Sequence, residues 1–203
     1  MLNLTNVEYT VKEANLIILN NFLLMLQRRE LISDSTSKFD EIKDNLMANK
    51  SFKIKIDNNS EVYLYIINGK VTSITQNSPL DDFLGSNTNI KKFVIIKDPS
   101  KKTFKQVTES YPNSEIFFQH EFMEDIPSKD IIPKHTILSS EYKDELLQNI
   151  QIKNLKKIYT TDMMSRYYNA KIGDIFRIER HNVTSGKGVD YRVVVDGKLD
   201  LIF

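Results

Sequence analysis

Apolar residues recur three and four apart between residues 9 and 30, where Ala14, Leu16, Ile17, Leu19, Phe22, Leu23, Leu24 and Leu26 share one broad face. That spacing predicts a helix. A second amphipathic helix is expected over residues 38–48, with Phe39, Ile42, Leu46 and Met47 inward and Asp40, Glu41, Lys43 and Asp44 outward. The period then changes to two. Phe52, Ile54 and Ile56 alternate with Lys53, Lys55 and Asp57, as in a half-buried strand. Asn58-Asn59-Ser60 signals a turn, and Val62 to Ile67 supplies the partner of a hairpin. After a turn at Asn68-Gly69, Val71 to Ile74 is expected to continue the sheet. Leu80 to Leu84 predicts a short helix. Phe93-Val94-Ile95-Ile96 is an uninterrupted apolar run, the pattern of a strand covered on both faces. A helix over residues 100–110 and a strand from Ser114 to Phe118 complete an α/β region built on a small mixed sheet, residues 1–125.

Pro127, Lys129, Asp130 and Pro133 break the periodicity and predict a linker over residues 126–133. Residues 134–203 then form a second, smaller domain. Ser139 or Ser140 suits the N-cap of a helix Glu141–Ile150, with Glu141 in its positive first turn. Asp162 suits the cap of a short helix through Arg166. Asp174 to Arg180 alternates as a strand, with Phe176 and Ile178 on one side and Arg177 and Glu179 on the other. Tyr191 to Val195 is its hairpin partner.

Net charge is +1, from 28 basic and 27 acidic residues. Residues 133–203 hold 12 basic and 9 acidic side chains, or +3, and the remainder sums to −2. A protein that grips nucleic acid unaided usually carries a marked basic excess. Contact with nucleic acid is therefore expected to be local and supported by partners. Cysteine is absent, which removes disulfides, thiolate zinc sites and cysteine nucleophiles. No signal-peptide pattern is expected at the N-terminus, and the apolar stretch Leu16–Leu26, interrupted by Asn20 and Asn21, is too short to span a bilayer. Abundant Ile, Asn and Lys fit an AT-rich coding source.

The last third carries specific text: Ile132-Pro133-Lys134-His135; Leu138-Ser139-Ser140-Glu141, Lys143 and Glu145-Leu146-Leu147; Asp162 and Arg166-Tyr167; Lys171 and Gly173-Asp174; Arg177-Ile178 and Arg180; Thr184-Ser185-Gly186; and Tyr191-Arg192. This order and spacing, over roughly residues 130–195, resemble the C-terminal assembly domain of the fifth, shared subunit of eukaryotic RNA polymerases, a domain that has a small archaeal counterpart. Departures exist. Met163 and Asn169 stand where the family usually has Pro and Gly, Lys187-Gly188 replaces an Arg-Tyr pair, and the chain runs on to Phe203. Before residue 125 only the order of elements matches.

The resemblance implies an α+β protein: a jaw-like N-terminal α/β domain and a C-terminal assembly domain with a hairpin-containing sheet. It implies a non-catalytic polymerase subunit with no cofactor or small-molecule substrate of its own and no membrane partner. Its partners are then the largest and other polymerase subunits, with downstream DNA inside the complex. Drift and composition make a large DNA virus or a divergent protist a plausible source. The location would be the nucleus for a cellular protein, and the virion or a viral factory in host cytoplasm for a viral one.

Several constellations invite other chemistry. Thr184-Ser185-Gly186-Lys187-Gly188 suggests phosphate binding, but His181 stands where a Walker A loop begins with Gly, and Gly188 where it needs Ser or Thr. A hairpin loop is the simpler reading. Arg177, Arg180, Arg192 and Lys187 gather around that hairpin, either as a solvated face or as an interface, since Arg forks and stacks well at protein contacts. Arg166, Tyr167, Thr184, Ser185, Gly186 and Tyr191 join them as candidate partner-facing residues by the resemblance. His120, His135 and His181 show no metal-ligand spacing on one element. A metal-dependent nuclease is the enzymatic alternative, yet Ile95 occupies the strand position an acid would need; Glu41-x-Lys43 and Glu141-x-Lys143 fall on helices. A free DNA-binding transcription regulator is the third reading. Lys91, Lys92, Lys97, Lys101, Lys102 and Lys105 form the densest basic stretch of the first domain. Lys97, Lys101, Lys102 and Lys105 are the candidates to lie near DNA.

Overall fold

The apolar face that starts at Ala14 folds as helix α1 (Val11–Arg28), opened by a capping box. Thr10 Oγ1 accepts from the Glu13 amide, and Glu13 accepts from the Thr10 amide at 2.8 Å. This computed structural model describes residues 9–44, 51–57, 60–182 and 186–203. The second helix, α2 (Ser35–Ile42), begins earlier than the apolar spacing indicates, because Asp34 caps it by accepting from the Thr36 and Ser37 amides. Leu46 and Met47 lie outside the described residues.

Strand β1 (Ser51–Lys55) buries Phe52 and Ile54 and exposes its lysines, and it pairs antiparallel with β2 (Glu61–Val71). Asn58 and Asn59, read as the turn, fall outside the described residues. Asn68-Gly69 is not a turn: β2 runs through it as one strand, with a register shift between Ile67 and Lys70 against its neighbour. Thr72 to Ile74 leave the sheet, and Ile74 is held instead by Gln106, which accepts from its amide at 2.9 Å. Helix α3 (Pro79–Gly85) leads to β3 (Lys91–Pro99), and α4 (Lys101–Ser110) leads to β4 (Ser114–Phe118). The sheet order is β1-β2-β3-β4, with β2, β3 and β4 parallel.

Phe93 to Ile96 of β3 are 0% exposed because helices cover both faces. On one face Phe22 of α1 meets Phe93 edge-on at 5.0 Å; on the other Phe104 of α4 stacks on Phe118 at 5.9 Å. Two sets of charged contacts tie this unit together. Arg29 forks onto Glu115 of β4 (3.0 and 2.8 Å), which also takes Lys91 at 2.6 Å. Lys92 donates to the carbonyls of Leu84 (2.6 Å) and Ser86 at the end of α3.

By its contacts the chain divides into Met1–Glu124 and Asp125–Phe203, so residues 126–133 group with the second unit. That unit holds β5 (Lys134–Ile137), α5 (Ser140–Asn149), β6 (Lys156–Tyr159), α6 (Met163–Tyr167), β7 (Ile175–Asn182) and β8 (Gly186–Val195). The sheet order is β5-β7-β8-β6. Strands β5 and β6 were not evident from periodicity. Each has four residues with two or three exposed, too few to repeat a pattern.

Alternation along β7 sorts the core into two clusters. Phe176 and Ile178 pack with Ile158 and Val194 on one face, joined by Tyr168 and Ala170 after α6. Ile175 packs with Val193 and Leu155 on the other, joined by Leu146 and Leu147 of α5. Asp162 caps α6 through the Met164 amide. The helix ends where Asn169 takes φ +54°, the Asn169 amide donating to Arg166 and the Ala170 amide to Ser165. Asn tolerates this left-handed conformation better than most other non-glycine side chains. Among the described residues no helix is long and apolar enough to cross a membrane.

Candidate functional site

The residues expected at a partner interface do not form one patch, because register assigns them to opposite faces of the second sheet. Phe176 pairs with Arg192 and Ile178 with Asp190, so Arg192 and Asp190 share the Phe176 face; Arg180, two residues beyond Ile178, lies on that face as well. Arg180 is exposed and Arg192 half-buried. Asp190 accepts from Lys156 at 3.1 Å and from Arg192 at 3.4 Å. Partial burial raises the Asp190 pKa, but these two cations outweigh it and hold the carboxyl below the usual aspartate range.

His135 sits on the same face. Its ring meets Phe176 edge-on at 5.7 Å, and Nδ1 bonds the Pro133 carbonyl at 2.7 Å. Burial lowers its pKa. The Pro133 bond and Asp162 oppose that shift, and Arg192 and Arg180 add to it. A half-buried imidazole tied to main chain and set edge-on against a core ring is a packing element of the sheet.

The opposite face carries Arg177 and Tyr191, which pair across β7 and β8. Arg177 bonds Glu179, and this contact together with Tyr191 raises its pKa. Between this face and α5 lies an open groove of about 690 Å³ whose walls include Leu138, Tyr142, Glu145, Leu146, Arg177 and Tyr191. Helix α5 buries none of its residues fully, and Tyr142 is 65% exposed. The sequence reading missed Tyr142 and Glu145. The available signal was an aromatic residue on α5 outside the Leu146-Leu147 contact.

Of the remaining candidates, Tyr167 is 3% exposed and packs edge-on against Tyr168 at 5.2 Å, supporting the surface from beneath. Arg166 donates through Nε to the Thr161 carbonyl. Gly186 opens β8 at φ +71°, a conformation suited to glycine. Thr184 and Ser185 lie outside the described residues. In the first unit Lys97, Lys101, Lys102 and Lys105 are exposed at the end of β3 and along α4. Lys105 reaches Glu109 at 3.7 Å. Of the two Glu-x-Lys pairs, Glu41-x-Lys43 has ordinary partners: Glu41 takes Lys38 at 3.1 Å and Lys43 donates to Asp40 at 2.6 Å. Among the described residues no three His, Asp or Glu side chains are grouped to hold a metal ion.

Residues 124–194 match the family model for the RNA polymerase Rpb5 C-terminal domain. A "DNA-directed RNA polymerase subunit 5" of Acanthamoeba polyphaga mimivirus is 33% identical over 190 residues, covering 88% of this chain and 91% of that one. A Dictyostelium discoideum "DNA-directed RNA polymerases I, II, and III subunit rpabc1" is 25% identical over 148 residues, 70% of this chain and 75% of that one. The "DNA-directed RNA polymerase subunit Rpo5" of Methanosphaera stadtmanae is 40% identical over 74 residues, which are 36% of this chain and 96% of the archaeal protein. Two four-stranded mixed sheets with flanking helices, the C-terminal family match and a viral relative similar over nearly its whole length agree: this chain belongs to the subunit 5 family and is a subunit of a DNA-directed RNA polymerase, acting in transcription.

Proposed function

We propose that the chain is a non-catalytic subunit that docks on the largest polymerase subunit through residues 125–203 and lends residues 1–124 to the jaw beside incoming downstream DNA. One observation carries this reading. The archaeal relative is a polymerase subunit by name and has little sequence beyond the 74 residues that match. A match of that size is comparable to the 124–194 stretch of the C-terminal family model. A domain of that size therefore suffices for attachment there, and the α/β unit of this chain is an addition with a separate task.

The character of each unit supports the division. The second unit exposes Arg180, and Arg192 and Asp190 are half-buried beside it. Such charges suit a polar interface rim, where they steer and orient a partner. The first unit places Ile95, 0% exposed, where a metal-dependent nuclease would need its acid. Its exposed lysines at the end of β3 and on α4 suit contact with phosphates held near by the rest of the complex. The working location is the nucleus for a cellular protein, and the virion or a viral factory for a viral one.

The test is incorporation. The tagged chain should co-purify with the largest subunit, and Arg180→Glu or Arg192→Glu should weaken incorporation by about tenfold or more while the isolated chain keeps its melting temperature. Normal assembly of both variants would overturn the assignment of this face. A native chain that stays monomeric and unassociated would overturn the docking itself.

A further inference from the structure

We infer that the groove between α5 and the second sheet receives an extended segment of another polymerase subunit, added to the open edge of β5, with a large apolar side chain and a neighbouring Lys or Arg entering the groove. The inference rests on the docking of residues 125–203 proposed above and assigns the mode and chemistry of one contact.

The edge comes first. β5 ends the sheet order, and the Leu138 amide donates to the Ile175 carbonyl at 2.9 Å. Antiparallel ladders alternate, so Thr136 and Lys134 also turn their main-chain groups toward β7. The N–H and C=O groups of His135 and Ile137 therefore face the open edge, four groups in the spacing that an added strand satisfies. Side chains do not obstruct that edge. His135 and Ile137 turn theirs to the Phe176 core, while Thr136 faces the groove.

The groove supplies specificity. Leu138, Leu146, Tyr142 and Tyr191 line it, a surface suited to one aliphatic or aromatic anchor. Its charges are unequal. Arg177 is already engaged by Glu179, whereas Glu145 has no ion-pair partner among the described residues. Among the described residues the wall therefore carries a negative charge without an ion-pair partner, complementary to a basic residue next to the anchor. Tyr142 is a large aromatic side chain on a helix that buries none of its own residues. That exposure is accounted for if the ring is an interface contact.

The experiment reconstitutes polymerase lacking this subunit with the full chain as wild type, Tyr142→Ala, Glu145→Lys and Asp144→Lys. Asp144→Lys makes the same charge change on α5 away from the groove. Incorporation is titrated, and amide exchange over residues 134–138 is followed with fragmentation to single residues. Wild type should incorporate and slow exchange at His135 and Ile137. Tyr142→Ala and Glu145→Lys should each bind about tenfold or more weakly with unchanged melting, and Asp144→Lys should bind as wild type. Wild-type failure to incorporate would overturn the docking reading and this inference with it. Normal wild-type incorporation with unimpaired groove variants, with equal loss in Asp144→Lys, or with unprotected His135 and Ile137 amides would overturn the groove alone. Photocrosslinking from position 142 to DNA or to a second copy of the chain would do the same.

Discussion

Removing the Glu115 carboxylate should unlatch the first unit. Glu115 joins β4 to the end of α1 across 86 positions of sequence, accepting both arms of Arg29 at 3.0 and 2.8 Å and Lys91 at 2.6 Å. The Arg29 side chain is only 6% exposed and that of Glu115 17%, whereas Lys91 is 36% exposed. In Glu115→Ala the guanidinium loses both of these charge-assisted bonds while still largely shut from water. Breaking one side of a buried pair costs about 3–5 kcal/mol. Lys91, largely screened, adds no more than about 1 kcal/mol. At roughly 2–4 °C per kcal/mol for a chain of this size, the melting transition should fall by about 6–20 °C. Urea titration measures the loss, and hydrogen exchange should localise it to α1 and β4 and leave residues 125–203 protected. Acid gives a second readout. Burial pushes the Glu115 pKa up, but Arg29 and Lys91 outweigh it and hold the carboxyl below the usual glutamate range. The unfolded chain therefore takes up this proton more readily than the folded one. The stabilisation is full above the ordinary glutamate pKa and is lost as pH falls through the lower folded value. The variant should lose that part of the acid dependence. A cost under about 1 kcal/mol, as for an exposed pair, or an unaltered acid profile would refute the reasoning.

Lys92→Ala should destabilise the same unit by about 2–4 kcal/mol in thermal denaturation, since it leaves the carbonyls at the end of α3 without their buried donor and opens a void. Lys92→Met, which keeps the volume, should lose less. Gly197→Ala should lower the melting temperature of the second unit, because the added Cβ would collide with Thr161 Oγ1 and lie 2.8 Å from Tyr159 Cβ. Alanine at Lys97, Lys101, Lys102 and Lys105 together should weaken polymerase–DNA complexes and flatten their salt dependence, by about 0.9 in slope for each phosphate no longer neutralised; an unchanged slope would remove these lysines from the DNA path.

Elements whose patterns were long enough to repeat were legible. The Phe93–Ile96 run marked a strand buried on both faces, and β1 alternated as written. The errors have local causes. Asn68-Gly69 has the letters of a turn, but pairing with β3 on both sides pulls it into a bulge. The start of α2 depended on Asp34 as a cap, which outweighed the apolar spacing. Strands β5 and β6 are short edges that exist because β7 and β8 give them partners.

The candidate interface shows the boundary most clearly. Sequence alone determined the family, because motif order survives drift, and it named Arg177, Arg180, Tyr191 and Arg192. It could not gather them. Only the register of β7 on β8 placed Arg177 and Tyr191 on one face and Arg192 on the other, and only α5 lying over the first of these made a groove that includes Tyr142 and Glu145. Periodicity records which side chains share a face within one strand, since that geometry is local. Which helix covers which face is decided by burial of apolar area between segments distant in sequence, and no single segment encodes it.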